Sequence, residues 1–237
     1  MPQALVCAWM VLAPALAAGA EWPAVPLPAG LQAFDIGQQM SVNGVPMQLR
    51  GFVSEAAPKV VATEFGKVLG EPLVRNEMGG KIVLGRRVGA GGAGELRYLT
   101  VQIEAAPGGS RGVIAISDLA GAASSSDRSR DDRARWMDRL PSGSKVVNQI
   151  QSRDGDKLST YLVATNRHAL RLNADRLITL MEQDGYALER ESESSQPPGV
   201  ALFFRGEGRE GMAVVSRSGP THSTLVLNTI TLLKDFR

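Results

Sequence analysis

Two stretches of this chain repeat one another in order, and an internal repeat constrains a fold before any single motif does. Leu27-Pro28-Ala29-Gly30 opens a segment that reaches Asn43-Gly44 and then Ser54 ahead of an amphipathic run. Leu140-Pro141-Ser142-Gly143 opens another that reaches Asp154-Gly155 and then Thr165 ahead of a second such run. Gly44 precedes Ser54 by the same spacing as Gly155 precedes Thr165. Two structural units of one kind follow, residues 27–118 and 140–237, with residues 119–139 as a linker between them.

Each unit reads as hairpin, helix, then meander. In the first, Ile36–Val42 and Val45–Val53 flank Asn43-Gly44, the dipeptide best suited to a two-residue turn with positive φ at both positions. Ala57–Leu69 then sets Val61, Phe65, Val68 and Leu69 on one helical face, with Pro58 at its start and Gly70 past its end. Strand-like segments follow at Leu73–Asn76, Lys81–Val88, Glu95–Glu104 and Arg111–Asp118. Leu99, Val101 and Ile103 alternate with polar neighbours, as in a half-buried antiparallel strand.

The second unit places a hairpin of Val146–Ser152 and Lys157–Ala164 around Asp154-Gly155. Leu170, Ala174, Leu177, Ile178 and Met181 form a helical stripe that stops at Gly185, with Thr165 or Asn173 as its N-cap. Tyr186–Glu191, Val200–Arg205, Gly211–Arg217 and Ser223–Leu232 close it. The expected fold class is therefore α+β: two tandem repeats, each its own antiparallel sheet with one helix on one face. A single sheet threaded through both would contradict that expectation. The element order resembles paired helix-grip or saddle-type domains, some of which occur in outer-membrane assembly lipoproteins; no residue motif carries the likeness further, and no family is claimed.

Residues 1–20 set the expected compartment. An apolar stretch from Ala4 to about Leu16 precedes Ala18-Gly19-Ala20, an A-x-A cleavage pattern for signal peptidase, although no Lys or Arg precedes the apolar core. The stretch is shorter than the ~20 residues of a spanning helix and contains Pro14. Cleavage at Ala18 and Ala20 gives a periplasmic or secreted protein. Cys7, the only cysteine, lies inside the leader and follows Val6 rather than a small residue, so neither a lipid anchor nor a disulfide is expected.

The linker begins with an Ala/Gly/Ser stretch that reads as flexible and continues through Arg128, Arg130, Arg133, Arg135 and Arg139. Interleaved Asp127, Asp131, Asp132 and Asp138 nearly cancel that charge, which argues for a solvated, partly helical segment rather than a nucleic-acid surface, with Trp136 and Leu140 packing onto the second unit. The chain as a whole carries 26 basic and 24 acidic side chains, so no strong field draws it to nucleic acid or anionic lipid.

Catalytic signatures are sparse. Gly89-Ala90-Gly91-Gly92-Ala93-Gly94 has the letters of a dinucleotide fingerprint, but a strand, not a helix N-terminus, is expected after it. Ser142 and Lys145 match S-x-x-K without the companion elements of penicillin-binding enzymes. His168 and His222 stand apart in sequence, without zinc-site spacing. No catalytic residue, metal or cofactor is assigned. The sequence favours a non-enzymatic accessory of an envelope assembly such as a secretion system, a pilus or outer-membrane biogenesis, recruiting a protein partner by pairing at an open strand edge, with Ile36–Val42 and Ser223–Leu232 as candidate edges. The second reading is a carrier or sensor of an apolar small molecule held between helix and sheet, with Val61, Phe65 and Met181 as lining.

Overall fold

Asn43 adopts φ 51° and Gly44 φ 86°, so the first hairpin closes through a two-residue turn with both central residues left-handed. The structure, a computed structural model, describes residues 22–89 and 96–233. Ala18, Ala20 and residues 90–94 of the glycine run lie outside the described residues.

The first half runs β1 (Gln32–Val42), β2 (Val45–Ser54), α1 (Pro58–Leu69), β3 (Val74–Met78), β4 (Lys81–Val88), β5 (Arg97–Ala106) and β6 (Gly109–Asp118). Two helices, α2 (Leu119–Ser124) and α3 (Ser126–Arg139), make the connection. The second half runs β7 (Lys145–Asp154), β8 (Lys157–Asn166), α4 (Leu170–Gln183), β9 (Ala187–Ser195), β10 (Pro198–Gly206), β11 (Arg209–Arg217) and β12 (Ser223–Leu232). The protein is a mostly antiparallel α+β structure.

Among the described residues, all twelve strands join one sheet, in the order β3-β4-β5-β6-β2-β1-β7-β8-β12-β11-β10-β9. The expectation of two separate sheets is thus corrected. The junction is short: β1 and β7 pair only at Gln39–Arg153, Met40–Ser152, Ser41–Gln151 and Val42–Ile150. The hairpin tip extends the contact by one step, since the Asn43 amide donates to the Gln149 carbonyl at 2.8 Å and the Gln149 amide to Asn43 Oδ1 at 2.9 Å. Neither candidate edge is an edge, because β1 lies at the centre and β12 between β8 and β11. The outer strands are β3, five residues long, and β9, which carries Glu189, Arg190, Glu191 and Glu193. Short length and charge are the usual protections of such edges.

Two cores lie on the helix-bearing face. One gathers Phe52, Val61, Phe65, Leu84, Leu99, Val101, Ile103 and Ile114; the other gathers Leu162, Leu177, Leu180, Met181, Leu202, Ala213, Val215 and Leu227. Burial on α1 falls on Val61, Ala62, Phe65 and Leu69, while Val68 is 38% exposed, a turn of the stripe away from expectation. On α4 it falls on Asn173, Ala174, Leu177, Leu180 and Met181. Trp136 and Leu140 pack against the second core as expected, and Trp22, Val25, Leu27 and Leu31 against the first.

Three local expectations shift. The second turn is Gly155-Asp156 rather than Asp154-Gly155, because Asp154 pairs with Lys157 and Gly155 takes φ 58° at the first central position. The N-cap of α4 is Ala169; Thr165 sits in β8, and Asn173 lies buried inside the helix. The Ala/Gly/Ser stretch is helical as α2, with Asp118 Oδ1 accepting from the Gly121 amide at 2.7 Å to cap it.

Buried polar groups concentrate where each hairpin feeds its helix. In the first half Ser54 Oγ accepts from the Ala56 amide at 3.1 Å, and Ser110 donates to the Ala56 carbonyl at 2.8 Å. In the second, Asn166 Oδ1 accepts from the His168 amide at 3.0 Å, and Ser223 donates to the His168 carbonyl at 2.7 Å.

Candidate functional site

Alternation along the strands sends one set of side chains to the cores and the other to the opposite face of the sheet. In β2, Phe52 is buried in the core while Gly51 and Val53 point the other way; in β6, Val113 faces away from buried Ile114. Register places Gly51 between Phe34 of β1 and Val113 of β6. A Cβ at Gly51 would run into the Phe34 ring, so glycine there lets the ring lie flat on the strand.

The result is a shallow cleft of about 250 Å³ on the solvent-facing side of the first half. Phe34, Ile36, Val53 and Val113 form its apolar walls over Gly51 and Gly112. Three wall residues are open to water, Phe34 at 53%, Ile36 at 48% and Val53 at 42%. Folding normally removes such groups from solvent, and here three of them stand together on one face. Farther out on the same face, Val74 and Met78 of β3 are also exposed.

One end of the cleft is charged. Glu104 accepts from Arg111 Nε at 2.7 Å and lies 3.2 Å from Lys81 Nζ. Hydrogen bonds from Arg111 and then Lys81 hold its carboxyl below the usual carboxylate range. Two cations around one carboxylate leave that end with an excess of positive charge.

In the second half, Val163 of β8 stands between Val226 of β12 and Asn148 of β7. Gly51 was visible in the sequence, but its meaning depends on the pairing with Phe34, which crosses a bulge in β1 and could not be read from spacing.

The residues singled out from sequence are placed as follows. Ser142 offers its carbonyl to His168 Nε2 at 2.8 Å, and Lys145 is exposed at the start of β7, so this S-x-x-K builds a loop contact. His222 contacts Thr221 Oγ1 through Nδ1 at 3.0 Å. Among the described residues no three His, Cys, Asp or Glu side chains form a cluster able to hold a metal. Val61, Phe65 and Met181 are 3%, 0% and 1% exposed and belong to the cores rather than lining a gap. On α3, Asp132 pairs with Arg135. Among the described residues no helix is long and apolar enough to cross a membrane.

Comparisons with known protein families, curated proteins and solved structures found no match.

Proposed function

We propose that this is an exported, non-enzymatic interaction protein of a bacterial envelope assembly, built from two copies of one unit, whose first copy docks a partner on its open face. The duplication is supported by constant offsets. Adding 112 to Ser54, Ala56, Val61, Ala62, Phe65 and Leu69 gives Asn166, His168, Asn173, Ala174, Leu177 and Met181, residues in matching bonds or matching burial. The strand order read outward from the junction is also the same in both halves, with β1, β2, β6, β5, β4, β3 answered by β7, β8, β12, β11, β10, β9.

The observation that carries the functional reading is the exposed cleft of Phe34, Ile36, Val53 and Val113. The occupant best suited to it is an extended, apolar protein segment with an acidic neighbour: the apolar side chain packs against the Phe34 ring beside Ile36, Val53 and Val113, and the acid meets Arg111 and Lys81. Export follows from the leader read in the sequence.

The test is a photo-crosslinking amino acid in place of Ile36, compared with one in place of Val60, which is 52% exposed on α1. In envelope fractions position 36 should give one discrete adduct that Val53→Lys abolishes, and position 60 none. Equal adducts at both positions, or an adduct indifferent to Val53→Lys, would remove the docking role.

A further inference from the structure

We infer that a second site, at the junction of the two halves, binds a small organic carboxylate. A cavity of about 270 Å³ lies between the first hairpin tip, β7 and α3, lined by Ser41, Asn43, Ser129, Arg133, Gln149 and Gln151. It holds the equivalent of roughly nine waters at about 30 Å³ each, space for an anion of a few carbon atoms. It is separate from the docking cleft and owes nothing to that reading.

The tip is fixed in place, because the main chain of Gln149 is bonded to Asn43 on both its amide and its carbonyl, and Ser125 donates to the Gly44 carbonyl at 3.3 Å. The Gln149 side chain is treated differently. It is only 8% exposed, it lines the cavity, and its carboxamide makes no hydrogen bond to any described residue. A carboxamide that opens into a cavity without a protein partner is free to donate to and accept from a ligand there.

Charge selects the ligand class. Asp132 also lines the cavity, but its carboxylate is bound by Arg135. Arg133 is in no ion pair with a described residue. The uncompensated charge is therefore a guanidinium, whose planar fork matches a carboxylate. Gln149 and Gln151 add amide donors, and Ser41 and Ser129 add hydroxyls. A ligand held by both Arg133 of α3 and Gln149 of β7 would tie the connecting helix to the junction.

The full chain is titrated with succinate, L-glutamate and citrate, and with glucose as an uncharged probe, reading the melting temperature and heat of binding. At least one acid should raise the melting temperature while glucose leaves it in place, because a ligand that favours the folded state stabilises it by mass action. Arg133→Met and Gln149→Leu should each weaken that acid at least tenfold. Gln149→Leu should melt no lower than the parent without ligand, since no bond is lost. The inference is overturned if no acid exceeds glucose, if binding survives both substitutions, or if Gln149→Leu alone lowers the melting temperature, which would make the amide a structural group.

Discussion

Replacing Phe65 with alanine should unfold the first half locally and leave the second half protected. Phe65 is 0% exposed and its ring centroid lies 5.5 Å from that of Phe52 at 54°, an inclined aromatic pair beneath α1. Truncating a buried Phe costs about 3–5 kcal/mol, of which the ring pair accounts for roughly 0.5–1.5 kcal/mol. At about 1.4 kcal/mol per factor of ten, amides that exchange through opening of this core should exchange about two to nearly four orders of magnitude faster. The two cores share no residue, and the two halves of the sheet join only where β1 pairs β7, through four residue pairs. Hydrogen exchange followed by mass spectrometry should therefore show the acceleration in peptides spanning β2 to β6, with those from β8 to β12 within a few-fold of the parent. Leu177→Ala, also 0% exposed, should give the converse pattern at about 2–5 kcal/mol. Equal acceleration in both halves would show that the cores open together and refute the reasoning.

Two further predictions follow from polar groups. Glu104 has a folded pKa below its ordinary value, so its contribution is present above the ordinary glutamate range near 4.3 and is lost as pH falls through the lower folded value. Glu104→Gln should flatten the acid limb of urea midpoints measured across that window, and a carboxyl resonance titrating at the ordinary glutamate value would contradict the bonds from Arg111 and Lys81. In the second half, Asn166 and Asn173 bond each other through both carboxamides, at 2.8 and 3.0 Å, and Asn166 also donates to Ser144 at 3.0 Å. Asn166→Ser and Asn173→Val install the residues found at Ser54 and Val61. Each alone should cost about 1–3 kcal/mol by orphaning a buried amide, and the pair together less than their sum by about 0.5 kcal/mol or more; strict additivity in urea melts would speak against the equivalence of these positions.

Much of the fold was legible because it is local. Asn43-Gly44 demands a turn, Pro58 and Gly70 bracket a helix, and Leu99, Val101 and Ile103 alternate. What stayed hidden depends on distant register. The four-pair junction links residues more than a hundred apart, and nothing in Gln39–Val42 announces Ile150–Arg153 as its partner. The turn at Gly155-Asp156 likewise shows only in the pairing of Asp154 with Lys157, and it is Asn166 rather than Thr165 that accepts from the His168 amide after β8. Asn173 looked like a cap because asparagine favours caps, yet a buried partner at Asn166 lets it sit inside α4. The cleft and the cavity share this character, since Gly51 and Gln149 acquire meaning only from the strands beside them.

The junction bears most on the whole account, and a cysteine pair tests it in a chain whose single native cysteine, Cys7, lies in the expected leader. Val42 and Ile150 are register partners next to the bonded Asn43 and Gln149, and directly opposed residues of this kind have the approach a disulfide requires. With Cys7 replaced, Val42→Cys with Ile150→Cys should oxidise to an intramolecular disulfide in the folded protein, while Val42→Cys with Gln149→Cys, whose side chains leave opposite faces, should not. Failure of the first pair to close, or equal closure of both, would mean that the halves do not form one sheet in this register.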